Sequence, residues 1–204
     1  MITIIDYGVG NINAFQNIYK TLGKEVCIAK KAIDLKNATK LILPGVGHFD
    51  YAMNKFNNSG MVDIVSELVQ KNKIPILGIC VGMQMLANLS EEGLLPGLGW
   101  IDAEVKKIDS NLLQQTTRLP HMGWNDINIV NNNSLFHNLQ NSPKYYFLHS
   151  YYFDCKEKCN IIATATYGST FACAVNYNNI FGVQFHPEKS HFYGIKLLEN
   201  FSNL

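Results

Sequence analysis

The sequence carries almost no excess of charge: 17 Lys and Arg stand against 16 Asp and Glu among 204 residues, a formal net charge of +1. Without a strong positive field, neither a nucleic acid backbone nor an anionic membrane surface is favoured as a partner. Long apolar runs are also missing. The longest, 74–83, contains a proline and two glycines and falls well short of the roughly 18 residues a membrane span needs. The first residues, Met1-Ile2-Thr3-Ile4-Ile5-Asp6, lack a basic region ahead of an apolar stretch and do not read as a signal peptide. Cysteines are few, odd in number and scattered, at positions 27, 80, 155, 159 and 173. That pattern does not fit a secreted disulfide framework and leaves at least one free thiol, so a soluble cytoplasmic protein is expected.

Cofactor signatures are absent as well. Gly8-Val9-Gly10 starts no G-x-G-x-x-G fingerprint, because Asn13 stands where the third glycine belongs. Cys155 and Cys159 have zinc-like spacing but no second Cys or His pair nearby, and His186 and His191 do not have H-E-x-x-H spacing. Neither a metal nor a dinucleotide is expected.

What is present is a globular composition, 47% hydrophobic and 16% charged, in a chain long enough to bury roughly 70% of its unfolded surface. Short apolar runs at 2–5, 26–29, 41–43 and 74–79, bounded by Gly, Pro or polar residues, read as buried strands. Between them Ala14, Phe15, Ile18, Tyr19 and Leu22 recur at helical spacing and Gly23 stops the pattern; 61–69 repeats it, 83–89 reads as helical, and 194–201 forms a last helix. Strands alternating with helices imply a parallel sheet covered on both faces. After Trp100 the texture turns aromatic and alternating, at 144–153, 161–167, 171–176 and 180–185, which suggests antiparallel strands added to the same sheet. No Pro/Ser-rich linker divides the halves. The expected fold is α/β, a mainly parallel central sheet with flanking helices and additional antiparallel strands, in a single domain spanning 1–204.

The sharpest chemical feature is Gly78-Ile79-Cys80-Val81-Gly82, a G-x-C-x-G sequence after an apolar strand. It has the form of a nucleophile elbow, which lifts one side chain above the sheet edge at a helix N-terminus, where free N–H groups favour a thiolate or an oxyanion. A buried structural cysteine in a tight turn is the alternative. Gln184-Phe185-His186-Pro187-Glu188 supplies a base and an orienter, because residues two apart in an extended segment point to one side. A satisfied strand-end histidine with a solvated glutamate is the alternative there. Leu43-Pro44-Gly45-Val46-Gly47 ends another strand, so its loop and the Cys80 elbow should border one crevice, with backbone N–H groups near Val46 suited to an oxyanion. An ordinary tight turn would look the same. Gln84 lies one helical turn beyond Cys80 on the same face.

These motifs together resemble the class I (triad) glutamine amidotransferases. Asp6-Tyr7-Gly8-Val9-Gly10-Asn11, Ser90-Glu91-Glu92-Gly93, Pro120-His121-Met122-Gly123-Trp124-Asn125, His149-Ser150-Tyr151 and Gln184 to Ser190 extend the likeness over nearly the whole chain. The resemblance implies hydrolysis of glutamine to glutamate and ammonia through a thioester, with no cofactor. Cys80, His186 and Glu188 would be catalytic; Val46, Gly47 and Val81 would line the oxyanion hole; Gln84, Glu92, Ser150 and Tyr151 would bind glutamine. Within the family the likeness is greatest to the branch that passes ammonia to a (β/α)8-barrel synthase of histidine biosynthesis, a heterodimer partner that Asn11, His121, Met122, Trp124, Asn125 and Lys189 would face. Two departures bear on the acceptor. His48 follows the oxyanion loop, and Ser190-His191-Phe192-Tyr193-Gly194 is more similar to paralogues in surface-sugar loci. A stand-alone γ-glutamyl cysteine hydrolase and a non-catalytic α/β binding module are the competing classes.

Overall fold

The computed structural model describes residues 1–113, 118–139 and 143–204. In chain order its strands and helices begin with β1 (Ile2–Ile5), α1 (Ile12–Thr21), β2 (Val26–Ala29), β3 (Lys40–Gly45), α2 (Phe49–Asn57) and α3 (Val62–Ser66). There follow β4 (Ile76–Cys80), α4 (Val81–Gln84), β5 (Leu89–Ser90), β6 (Ala103–Lys107), β7 (His121–Asp126) and β8 (Asn128–Ile129). The chain ends with β9 (Lys144–His149), β10 (Tyr151–Cys155), β11 (Ile161–Tyr167), β12 (Ser169–Tyr177), β13 (Ile180–Val183) and α5 (His191–Ser202).

Every residue of β1 and β4 is buried, the condition of strands covered on both faces and the reason they read as unbroken apolar runs. Helix α1 buries Ile12, Phe15 and Tyr19, spaced by three and four as one helical face requires. It stops at Gly23, whose φ of 67° lets Gly23 N–H reach Lys20 O and Lys24 N–H reach Tyr19 O, closing the last carbonyls.

The main sheet runs β2-β1-β3-β4-β13-β12-β10-β6-β5, with β11 pairing β12 and β8. The pairs from β2 to β13 are parallel, and β13–β12, β12–β10 and β10–β6 are antiparallel. This is the α/β architecture expected. A strand from the last quarter of the chain thus sits beside β4 at the sheet's centre.

Four details depart from the sequence reading. The segment 180–185 contributes not a purely antiparallel strand but β13, parallel to β4 on one side and antiparallel to β12 on the other. The stretch 144–153 is two strands, broken at Ser150: β10 joins the main sheet, and β9 forms a separate two-stranded sheet with β7. The 61–69 helix turns π-helical from Glu67 to Lys71. Finally, the helix after Cys80 spans only Val81–Gln84. Leu86 N–H and Ala87 N–H close tighter three-residue turns, and Asn88 N–H is taken by Ala103 O, so tertiary pairing peels the chain off the helix. So short a helix contributes little dipole. No helix among the described residues is long and apolar enough to cross a membrane.

Candidate active site

Cys80 ends β4 with φ 55° and ψ −114°, a backbone state that a side-chain-bearing residue holds only when its surroundings impose it. Here close packing does so. A Cβ on Gly82 would collide with Leu43 O, one on Gly45 with Gly82 N, and one on Gly78 would stand 2.6 Å from Gly82 O. The glycines of the elbow are therefore needed for the close approach of two backbones, and the cysteine itself takes the strained turn. Gly82→Ala is expected to lower stability by about 3 kcal/mol or more, since neither facing backbone can move freely. Urea unfolding of the variant against wild type checks this.

Three chain segments, at Cys80, Tyr146 to Leu148 and Gln184 to Ser190, meet at the end of β4. Cys80 Sγ lies 3.9 Å from Leu148 O and 3.8 Å from Gln184 Nε2. His186 follows β13; its N–H donates to Tyr146 O at 2.8 Å and its carbonyl accepts from Ser190 Oγ at 2.6 Å. Its Nδ1 meets Glu188 Oε1 at 2.9 Å, with both side chains nearly inaccessible. The pairing is made by a 3-10 turn over Pro187–Lys189, rather than by the extended alternation the spacing suggests. Burial pulls the imidazole pKa down, but hydrogen bonding and charge interaction with Cys80 and Glu188 outweigh it and raise it to about 10. The second carboxylate oxygen, Glu188 Oε2, is buried without a hydrogen-bond partner among the described residues.

A cavity of about 280 Å³ is lined by Val46, Gly47, Cys80, Val81, Gln84 and Glu92 and by Ser150, Tyr151, His186 and Lys189, with Pro120, Leu148 and His149 completing its wall. The site thus occupies the crevice beyond the carboxyl ends of β3, β4 and β13, where open α/β sheets bind ligands. Gly47 has φ 83°, and the loop before it is held by Tyr7, whose hydroxyl donates to Pro44 O at 2.6 Å. Burial raises the Tyr7 phenol pKa well above its ordinary value, so that donor stays protonated. Gln84 Nε2 donates to Tyr151 O at 3.2 Å and Gln184 Oε1 at 3.0 Å, which commits the amide nitrogen and leaves Oε1 for a ligand. Glu92 is preset: Oε2 accepts from Phe49 N–H at 2.8 Å. His48 caps α2, its Nδ1 accepting from Asp50 N–H at 3.2 Å.

The residues grouped as partner-facing separate by strand alternation. Met122 and Trp124 on β7 are 64% and 49% exposed, and Asn11 and Lys189 are also exposed. His121 and Asn125 do not face outward with them. His121 is 3% exposed, and Asn125 Nδ2 turns inward to Thr166 O at 2.9 Å and to the His121 ring. Positions 121, 123 and 125 point one way and 122, 124 and 126 the other, as a period of two requires.

Sequence reasoning missed His149, Gln184, Leu148 and Tyr7, although all but Leu148 lie inside quoted motifs. His149 stands directly across from His121 in the β7–β9 register, and the rings hydrogen-bond, Nδ1 to Nε2, at 3.0 Å. Burial lowers the His121 pKa to about 4; burial and the neighbouring His121 charge lower that of His149 to about 3. Unfolded histidine titrates near 6.5, so as pH falls below 6.5 the unfolded chain takes up protons that the native rings refuse until about 4 and 3. Each ring should therefore cost about 1.4 kcal/mol of stability per pH unit in that window. His186 adds no slope there, being protonated in both states below 6.5; its contribution is lost as pH rises from 6.5 towards 10. Denaturant unfolding at pH 7, 6 and 5 should show the acid loss, and His149→Phe should reduce it.

The family model for glutamine amidotransferase class-I matches residues 3–203. The chain is 53% identical over 204 residues to imidazole glycerol phosphate synthase subunit HisH of Bdellovibrio bacteriovorus, covering 100% of both chains. It is 52% identical, again with 100% of both covered, to the subunit of the same name from Leptospira interrogans. Among solved structures, a glutamine amidotransferase superposes with a TM-score of 0.74 at 19% identity, covering 100% of this chain and 99% of that one. PurLQS of Thermotoga maritima superposes with a TM-score of 0.74 at 18% identity, covering 99% and 97%. At that identity the structures speak for the fold alone; the family model and the full-length relatives carry the assignment, and by them the chain belongs to the class I glutamine amidotransferases.

Proposed function

We propose that this chain is a glutaminase subunit whose Cys80, His186 and Glu188 hydrolyse glutamine to glutamate and ammonia for a synthase partner. The observation that carries the reading is the convergence of the Cys80 thiol with a buried His186–Glu188 pair, 2.9 Å apart, on one cavity. His186, held by Glu188 at 2.9 Å, takes the thiol proton and leaves sulfur as the nucleophile. Sulfur attacks the side-chain amide carbon of glutamine, and the resulting oxyanion takes N–H donors from the Val46, Gly47 and Val81 backbone. His186 returns its proton to the leaving nitrogen and ammonia departs, leaving a thioester. His186 then removes a proton from water; hydroxide adds to the thioester, and collapse releases glutamate and regenerates the sulfur. Glu188 holds the imidazole tautomer and offsets its positive charge. Glu92 suits the α-ammonium, while the Gln84 amide oxygen and the backbone at Ser150 and Tyr151 complete the pocket. The groups named need no cofactor.

The partner we infer is a synthase subunit, since the full-length relatives are named as subunits of imidazole glycerol phosphate synthase; that it is a (β/α)8-barrel of histidine biosynthesis is what the family resemblance implies. Met122, Trp124 and Phe192 are 64%, 49% and 67% exposed, a concentration of large apolar side chains that fits the buried centre of an interface. Lys189, above the Tyr146 ring at 5.6 Å, adds a cation beside the cavity. Ammonia would pass directly into the partner in a heterodimer of the cytoplasm, with 1–204 acting as one domain.

A second reading keeps the glutaminase and changes the acceptor. The segment similar to surface-sugar paralogues supplies His191, stacked on Trp124 at 5.4 Å with planes 3° apart, and exposed Phe192. Partner choice can therefore be written in these residues. The test is glutamate release with each candidate partner, together with labelling by a glutamine-mimicking alkylator. One glutamine-protected adduct at Cys80 and activation by the histidine-pathway barrel support the reading. Activation only by a sugar amidotransferase redirects the acceptor, and labelling elsewhere sinks the triad.

A further inference from the structure

From the cavity wall, where Tyr151 and His149 are lining residues, runs a hydrogen-bonded chain to which the proposed chemistry gives no role. Tyr151 O can only accept, so His149 Nδ1, 2.8 Å away, must donate to it. A neutral His149 then has Nε2 as acceptor, which requires His121 Nδ1 to donate across the 3.0 Å contact. His121 Nε2 is left as acceptor and takes a hydrogen from Asn125 Nδ2 at 3.2 Å; the other hydrogen of that amide goes to Thr166 O at 2.9 Å. Every donor in the chain meets an acceptor, and only one tautomer of each ring permits it.

The near end reaches the pocket. Tyr151 O accepts from His149 and also from Gln84 Nε2 at 3.2 Å, so both of its lone pairs are used. The second hydrogen of the same Gln84 amide goes to Gln184 Oε1 at 3.0 Å, and Gln184 Nε2 points at Cys80 Sγ at 3.8 Å. Reversing the Gln84 amide would set its oxygen against two acceptors, so the chain dictates which Gln84 atom faces the cavity. Packing does not explain the two polar rings. His121 is stacked on Phe147 and Tyr167 with centroids 4.7 Å and 4.0 Å apart, and His149 lies 5.1 Å from Phe171. An apolar ring would fill such a nest without the cost of burying ring nitrogens.

We propose that His149, braced by His121, is a positioning residue for glutamine: by holding the Tyr151 carbonyl it sets the orientation of the Gln84 amide and of the Tyr151 backbone on which the substrate lies. The inference rests on the glutaminase reading and adds His149, which is part of the cavity wall, and His121, which is not among the lining residues and acts through it.

Two substitutions separate positioning from packing because they act in opposite directions. His149→Phe keeps a ring and removes the donor to Tyr151; His149→Asn loses the ring and restores an N–H at the Nδ1 position. With the partner present, His149→Phe should raise the KM for glutamine about tenfold, the loss of one buried hydrogen bond, without a lower Tm. His149→Asn should unfold at a lower temperature yet keep KM within about twofold of wild type. A His149→Phe enzyme with wild-type KM, or KM values that follow Tm across the two variants, overturns the proposal. Should His149→Phe not fold, His149→Ala serves against His149→Asn, since both lose the ring and only Asn restores the donor; equal KM values then overturn it. Wild type in the same assay distinguishes the two levels: turnover with a KM indifferent to the variants refutes positioning alone, whereas no glutamate release with any partner refutes the glutaminase reading and the inference with it.

Discussion

Cys80→Ala is expected to bring glutamate release down to the background of glutamine hydrolysis, because no other thiol among the described residues borders the cavity. Cys155 and Cys173 are buried, their pKa values pushed up to about 12 and well above the ordinary range, and neither can substitute as nucleophile. His186→Ala should lose roughly 100-fold to 10,000-fold, the usual worth of a positioned acid and base. Glu188→Gln should lose less, since the amide can still hold the imidazole but no longer offsets its charge. Removing two members should cost little more than removing the worse one, because the three act as a unit. Steady-state glutamate release by folded variants, checked by circular dichroism, measures all of these. Wild-type rates in Cys80→Ala would eliminate the thioester route.

Partner binding is expected to raise turnover of the isolated chain about 100-fold to 1,000-fold, the value of one oxyanion donor. The reason lies in the loop after β3. Val46 is 40% exposed and is followed by a glycine with φ 83°, whereas Pro44 just before is clamped by Tyr7 at 2.6 Å. A peptide free on one side and anchored on the other rotates at small cost, so a partner that favours one orientation shifts its population. The shift is limited to the difference in partner contact between the two loop states, which Val46 and Lys189 at the cavity rim can supply. Glutamate release should be measured with the chain alone, with partner, and with partner and acceptor substrate. An isolated chain already as fast as the complex would refute gating and favour the stand-alone hydrolase.

The amino-acid sequence alone determined what depends on near neighbours. Unbroken apolar runs mark β1 and β4, since strands buried on both faces need apolar residues on both. The spacing of Phe15 and Tyr19 and the stop at Gly23 delimit α1 through contacts within six residues. Gly78-Ile79-Cys80-Val81-Gly82 and His186-Pro187-Glu188 bear their chemistry in single short segments, so the candidate triad was legible before any fold was known. Tertiary structure decided what depends on pairing at a distance. The helix after Cys80 ends at Gln84 because Asn88 bonds to Ala103, and the run 144–153 breaks at Ser150 because its halves pair with β7 and β6. His121 and His149, 28 residues apart, become partners only through the β7–β9 register, and a shift of that register by one residue would turn His121 outward with Met122 and Trp124. Local pattern fixes which residues can be buried, but only the alignment of distant strands selects which buried groups meet, because the hydrogen bonds that set a register join atoms the sequence keeps apart.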